Sequence, residues 1–385
     1  MLHKVALATT SLLTGAVLLA APATARALHD DDTAPMVKAP AAQPAAPSVA
    51  PARACGAEPA TGRAWEHLFD SLSGSWAGGD GAASVRLPDG RLLWLFGDTF
   101  TGSVNADRSR GGDARIVRNS IVVTDGACVD VVPTATDALP GRDGTWLWPT
   151  TGSVVSSTRG GTSELVVLAQ RVQRTGDGAY DFARVGTASV RVTVPWGGVP
   201  VVGAVRDLPA DDVLWGAGLI TEGSTTWVYG TREVHQDLVF GRDLLLAQAP
   251  TATLDDPATW TYRTGSGWSR DRSDAAVVRP AALGVSTVPS AARVGSAYVL
   301  VTKAQEFVDD DVVALRASTP WGPWREQVLF RSATKGSVVR YSPALVAGAR
   351  PGRATVVVSR TSTSAEELLR DVELARPTFT DVRIA

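Results

Sequence analysis

Asp80 and Asp98 are the residues whose types and spacing speak most directly of chemistry. They bracket a short hairpin. Ala82 to Leu87 is a mostly apolar run, Pro88-Asp89-Gly90 supplies a turn, and Leu92 to Phe96 is a second apolar run. Proline presets φ and glycine accepts positive φ, so the turn is specified by its residues. Antiparallel pairing lays the start of the first strand beside the end of the second. Both carboxylates then fall at one rim. Hydrolysis of a glycosidic bond needs such a pair. One carboxylic acid protonates the leaving oxygen, and a second carboxylate activates water or attacks the anomeric carbon. Taken singly, each aspartate also fits a turn or a strand end.

Other residue types narrow the chemistry. The histidines are His3, His29, His67 and His235. Zinc hydrolases usually use two or three, and only His67 and His235 fall in the expected folded part, so no catalytic metal is expected. The segment Asp107 to Asp113 has an acid at each end but not the spacing of an EF-hand. A structural calcium there is the one ion to consider, and no other cofactor is expected. The formal net charge is −2, which gives no footprint for nucleic acid or an anionic membrane.

The elements that must position these residues begin after an export leader. His3 and Lys4 precede an apolar stretch from Val5 to Ala21, and Ala23-Thr24-Ala25 is an A-x-A cleavage site. Residues 1–25 are read as a signal peptide. Residues 26–54, rich in Ala and Pro with Asp30-Asp31-Asp32, are read as a disordered linker. No later stretch is apolar enough to span a bilayer. The folded domain is 55–385, secreted or cell-wall associated and monomeric. In an exported chain the only two cysteines, Cys55 and Cys128, are expected to pair.

Within the domain one apolar strand recurs, centred on Trp94, Val167, Val228, Val299 and Val356. A shorter strand precedes each copy and a third follows it, the last third strand being placed at Val372 to Ala375. Trp- and Pro-rich corners come next: Pro195-Trp196, Pro257 to Trp260, Pro320 to Trp324 and Pro377 to Phe379. Helical pattern is scarce, Ala365 to Leu369 being its best instance. Five copies of a four-stranded unit predict an all-β fold, a five-bladed β-propeller.

In such a fold, first-strand starts and second-strand ends share one face. Asp80, Trp148, Trp215 and Tyr341 occupy the starts. Asp98, Gln170, Arg171, Arg232, Glu233, Lys303, Glu306 and Arg360 occupy the ends, and Arg118 and Asn119 join them from the third strand of blade one. The opposite turns carry plain connectors, so the polar face is the expected pocket. Asp80 and Asp98 are the candidate catalytic pair, with Glu233 and Glu306 as further acids. The cations and amides are candidates for holding carboxylates or sugar hydroxyls. The aromatics are candidates for stacking on sugar faces or for ordinary blade packing.

The run Leu-Trp-Leu-Phe-Gly-Asp-Thr-Phe (93–100), preceded by Gly-Gly-Asp-Gly (78–81), resembles secreted actinobacterial five-bladed propellers, some of which are endo-acting D-arabinofuranosidases. The wider architecture is similar to arabinanase and β-xylosidase propellers, which use three carboxylates from different blades. The resemblance implies that Asp80 and Asp98 are the acidic positions of the first blade and that Asn119 is the polar position beside them; it supplies no direct counterpart of the third acid, for which Glu233 is the candidate chosen. It covers roughly residues 75–125 well and the later blades only in strand pattern. It implies a glycoside hydrolase acting on a polysaccharide, an arabinofuranan of the cell envelope. The alternatives are a non-catalytic carbohydrate-binding propeller and a tethered adhesion module.

Overall fold

Strands with one or two buried faces dominate the chain, and they assemble in sequence order. The computed structural model describes residues 55–132, 136–178, 181–209 and 212–384. The expected leader and linker lie outside these residues. Blade one is the sheet Ala83–Arg86, Leu92–Phe96, Ser120–Asp125 and Cys128–Val131. Blade two is Thr145–Ser157, Thr162–Arg174, Phe182–Pro195 and Val201–Asp207. Blade three is Val213–Glu222, Thr225–Arg232, Asp243–Pro250, Thr261–Arg263 and Trp268–Ser269. Blade four is Ser290–Val294, Ala297–Thr302, Asp311–Ala317 and Arg325–Arg331. Blade five is Val338–Leu345, Ala354–Ser362 and Thr378–Val382. All pairings are antiparallel, and each blade's first strand lies beside the first strands of its two neighbours, with blade five returning to blade one. This is a five-bladed β-propeller.

Second strands are the most buried because they have a sheet neighbour on each side and a blade against each face. Leu92–Phe96 is buried throughout. The cores therefore lie between blades. Leu93, Leu95 and Ile121 of blade one pack with Leu165, Val167 and Val190 of blade two. First strands instead face a central channel and present small side chains to it, among them Ala83, Ser84, Gly152, Ala217, Ala291 and Ala344.

Three expectations change. Val372 to Ala375 is a 3-10 turn rather than a strand. The Asp371 carboxylate caps it by accepting from the Glu373 amide at 2.9 Å, and Thr378–Val382 is the third strand of blade five. Blade five thus has three strands and blade three five, instead of four in each unit. A helix also appears that the sequence did not announce, α1, Gly62–Asp70, N-capped by Thr61, whose hydroxyl accepts from the Ala64 amide at 3.2 Å. Trp65 and Phe69, four residues apart on one helix face, pack on Trp94 of blade one and Phe379 of blade five. The stretch with the best helical pattern in the sequence, near 365, forms α2, Ala365–Arg370.

Cys55 and Cys128 form the expected disulfide, which ties the start of the domain to the outer strand of blade one. No helix among the described residues is long and apolar enough to cross a membrane.

Candidate active site

The hairpin brings Asp80 and Asp98 to one rim through the backbone. The Asp80 amide donates to the Asp98 carbonyl at 3.2 Å, and the Gly97 amide donates to the Asp80 carbonyl at 2.8 Å. Gly97 is needed there, since a Cβ on it would sit 2.5 Å from the Asp80 Oδ1. Side chains from two other blades then separate the two carboxylates' environments. Asp80 Oδ2 accepts from the Tyr341 hydroxyl of blade five at 2.5 Å. Asp98 Oδ1 accepts from the Trp148 Nε1 of blade two at 2.9 Å, and its Oδ2 lies 3.6 Å from the Arg118 guanidinium.

Both carboxylates keep a water-accessible face while protein surrounds the rest. Loss of hydration, and then the charge of Asp98, push the Asp80 carboxyl up to about 7, against the opposing bond from Tyr341. Burial also raises Asp98, but Arg118 and the Trp148 donor oppose it. Asp98 has the cation and Asp80 does not. The surroundings therefore favour Asp80 over Asp98 as the holder of a proton shared by the pair.

These groups line a pocket of about 1560 Å³ that occupies the central channel. Gln170, Arg118, Trp148, Tyr341 and Arg360 line it as the sequence predicted. Glu306 lines it too, contributed by blade four. Its Oε1 accepts from both the amide and the hydroxyl of Thr287 at 2.5 Å, and Arg242 stands 4.0 Å away. Burial raises its carboxyl against those partners. Glu306 adopts φ of 56°, a left-handed conformation unusual outside glycine and one that recurs at functional sites.

Other predicted residues are engaged elsewhere. Glu233 does not line the pocket and lies 3.8 Å from Arg242. Asn119 is fully buried and serves the backbone, donating to the carbonyls of Leu139 and Leu147 and accepting from the Leu139 amide. Trp215 packs edge-on against Tyr262 in the core of blade three. Arg171 pairs with Asp207 at 2.7 Å, and Arg232 with Asp243 at 3.0 Å. Lys303 is buried, its Nζ donating to the carbonyls of Ser332 and Arg340. Asn119 and Lys303 thus reach the neighbouring blade, whereas Arg171 and Arg232 are paired within their own. In the loop weighed for calcium, Asp107 and Asp113 accept from the amides and hydroxyls of Ser109 and Ser103.

Sequence reasoning missed Arg242, Phe182 and Thr287, all on the pocket wall. Arg242 had a usable signal, since it precedes the third strand of blade three just as Arg118 precedes that of blade one. Phe182 opens the third strand of blade two, at the far end of an unusually long sheet.

Fold and site together define a five-bladed propeller with an acidic channel mouth. The chain belongs to the family described as a domain of unknown function, DUF5005, whose model matches residues 63–367. No curated protein sequence matches it. Among solved structures it is similar to one from Bacteroides ovatus ATCC 8483 described as a "putative hydrolase", at 20% identity and a TM-score of 0.65, covering 83% of this chain and 88% of that one. A GH43_1 enzyme from Xanthomonas citri aligns at 11% identity and a TM-score of 0.46, covering 83% and 93% of the two chains. The catalytic domain of a Coprinopsis cinerea GH62 α-L-arabinofuranosidase aligns at 10% and 0.45, covering 81% and 92%. Identity at these levels speaks for the fold alone.

Proposed function

We propose that this protein is a glycoside hydrolase that cleaves a polysaccharide at the channel mouth. The observation that carries this reading is the Asp80–Asp98 pair, two carboxyl groups at one rim whose surroundings push their proton affinities apart. A sugar bound over the rim meets both. Protonated Asp80 gives its proton to the glycosidic oxygen as the bond to the anomeric carbon breaks. Ionised Asp98 supplies the second function, drawing a proton from an attacking water or attacking the anomeric carbon itself. Trp148 and Arg118 hold Asp98 charged and fixed in direction, and Tyr341 does the same for the orientation of Asp80. Glu306, rather than Glu233, is the third acid facing the pocket and is placed to bind sugar hydroxyls.

The substrate class we propose is an arabinofuranan, on the first-blade resemblance, with action outside the cytoplasm, where the Cys55–Cys128 disulfide persists. The test is product release from a panel of purified polysaccharides including mycobacterial arabinogalactan and plant arabinan. Oligosaccharides from the wild type, falling about 10²–10⁴-fold in rate in Asp80→Asn and Asp98→Asn with both variants folded, are expected. Absence of release on every polymer, with binding retained by calorimetry, would instead describe a carbohydrate-binding propeller.

A further inference from the structure

Blade two is built on a different scale from its neighbours. Its first three strands run 13, 13 and 14 residues, against 4, 5 and 6 in blade one and 10, 8 and 8 in blade three. The extra length places an aromatic group beside the acid pair. Trp148 meets Phe182 edge to face, with centroids 4.8 Å apart and planes at 89°, and Trp146 packs edge-on behind Trp148 at 5.8 Å. Arg118 covers the Trp146 ring at 4.7 Å.

Trp148 and Phe182 are only partly buried and both line the pocket, whereas Trp146 is buried. Two aromatic residues left partly open on a pocket wall, with polar Gln170 and Arg174 lining it nearby, are placed as a ligand surface as well as a packing layer. Trp148 is also tied to Asp98 by its Nε1, so the platform and the reacting centre share one rigid unit.

We propose that Phe182, with Trp148, forms a distal sugar subsite that selects for chain length. The ring of a sugar one or more residues from the scissile bond packs its C–H face on this platform, where apolar area and the negative face of the ring favour it. The proposal rests on the polysaccharide-hydrolase reading and adds the direction in which the chain leaves the acid pair, along blade two. Binding energy gained at a remote sugar is then available to a long chain and not to a short one.

The test uses the full chain and a ladder of arabino-oligosaccharides from disaccharide to octasaccharide. Cleavage is read as kcat and KM, and binding by calorimetry on Asp80→Asn. Phe182→Ala is expected to raise KM for the long members roughly three- to tenfold more than for the disaccharide. Phe182→Tyr, which keeps the ring, restores the wild-type pattern. Phe182→Leu keeps apolar bulk without a ring and carries the same expectation as alanine if alanine misfolds. Equal loss at every length, or no rescue by tyrosine, assigns Phe182 to packing and overturns the subsite while leaving the hydrolase intact. Binding that strengthens with length and depends on the Phe182 ring, without any cleavage by the wild type, keeps the subsite and overturns the hydrolase. No cleavage and no binding along the ladder overturns the subsite together with the arabinofuranan substrate.

Discussion

Asp80 and Asp98 come from one hairpin and share backbone hydrogen bonds, yet they receive unlike partners because different blades supply them. Tyr341 reaches Asp80 from blade five, while Trp148 reaches Asp98 from blade two. The division has a pH signature. An acid catalyst must hold its proton, so activity is expected to fall as pH rises through about 7, where Asp80 ionises. The Tyr341 hydroxyl donates to the carboxylate and so favours the charged form. Removing it in Tyr341→Phe raises the Asp80 pKa further, and the alkaline limb of kcat/KM moves to higher pH. A profile over pH 5–9 on a soluble oligosaccharide checks this. An acidic limb that moves to higher pH, with the alkaline limb unmoved, would instead mean that Asp80 works as the ionised partner.

The strands were legible because short apolar runs and turn chemistry agree along most of the chain, as in Leu92–Phe96 closing on Pro88-Asp89-Gly90. The elements that were not legible are short and take their structure from capping or distant partners. Val372 to Ala375 reads as strand by apolar composition, but Asp371 caps a turn there. The helix α1 spans only nine residues and is held by aromatic partners from both ends of the chain. Side-chain direction was the weak link for the site. Strand ends were placed well, but register shifts at Pro149/Thr151 and Arg184/Gly186 turn neighbouring residues to new faces. Arg171 therefore pairs with Asp207 within blade two while Phe182 reaches the pocket; Lys303 follows a regular strand of blade four and turns instead to the carbonyls of Ser332 and Arg340. The disulfide is an element-level device with its own test. It closes a loop of 73 residues, for which chain entropy gives about 4 kcal/mol. Replacing Cys55 and Cys128 by serine is expected to lower Tm by several degrees. Activity per folded molecule stays near wild type, because Cys128 lies on the outer strand of blade one, away from the channel.

A propeller closes where its last blade meets its first, and here that seam runs through the site. Asp80 belongs to the first side and Tyr341 to the last, and the Gly81 amide donates to the Ser359 hydroxyl across the same boundary at 2.8 Å. What holds the seam is α1. Trp65 and Phe69 stack on Phe379 at 6.2 and 5.6 Å and meet Trp94 at 5.1 and 5.2 Å. The Gly62 amide donates to Asp381, and the Phe379 amide donates to Glu66. Truncating either aromatic to alanine should cost about 3–5 kcal/mol, and the two costs will not add because the rings touch the same partners. Loss of stability alone would be unremarkable for any buried aromatic. The distinguishing comparison is Trp260→Ala, which removes a fully buried ring from the core between blades two and three. At a temperature where both variants are folded, Trp260→Ala should keep its kcat and its alkaline limb. Trp65→Ala should lose kcat, because the blade-five group that orients Asp80 is no longer held in register with blade one. Hydrogen exchange should show early opening confined to blades one and five in Trp65→Ala. If both variants lose stability with kcat unchanged, the seam is a structural closure only, and the placement of Tyr341 over Asp80 does not depend on it.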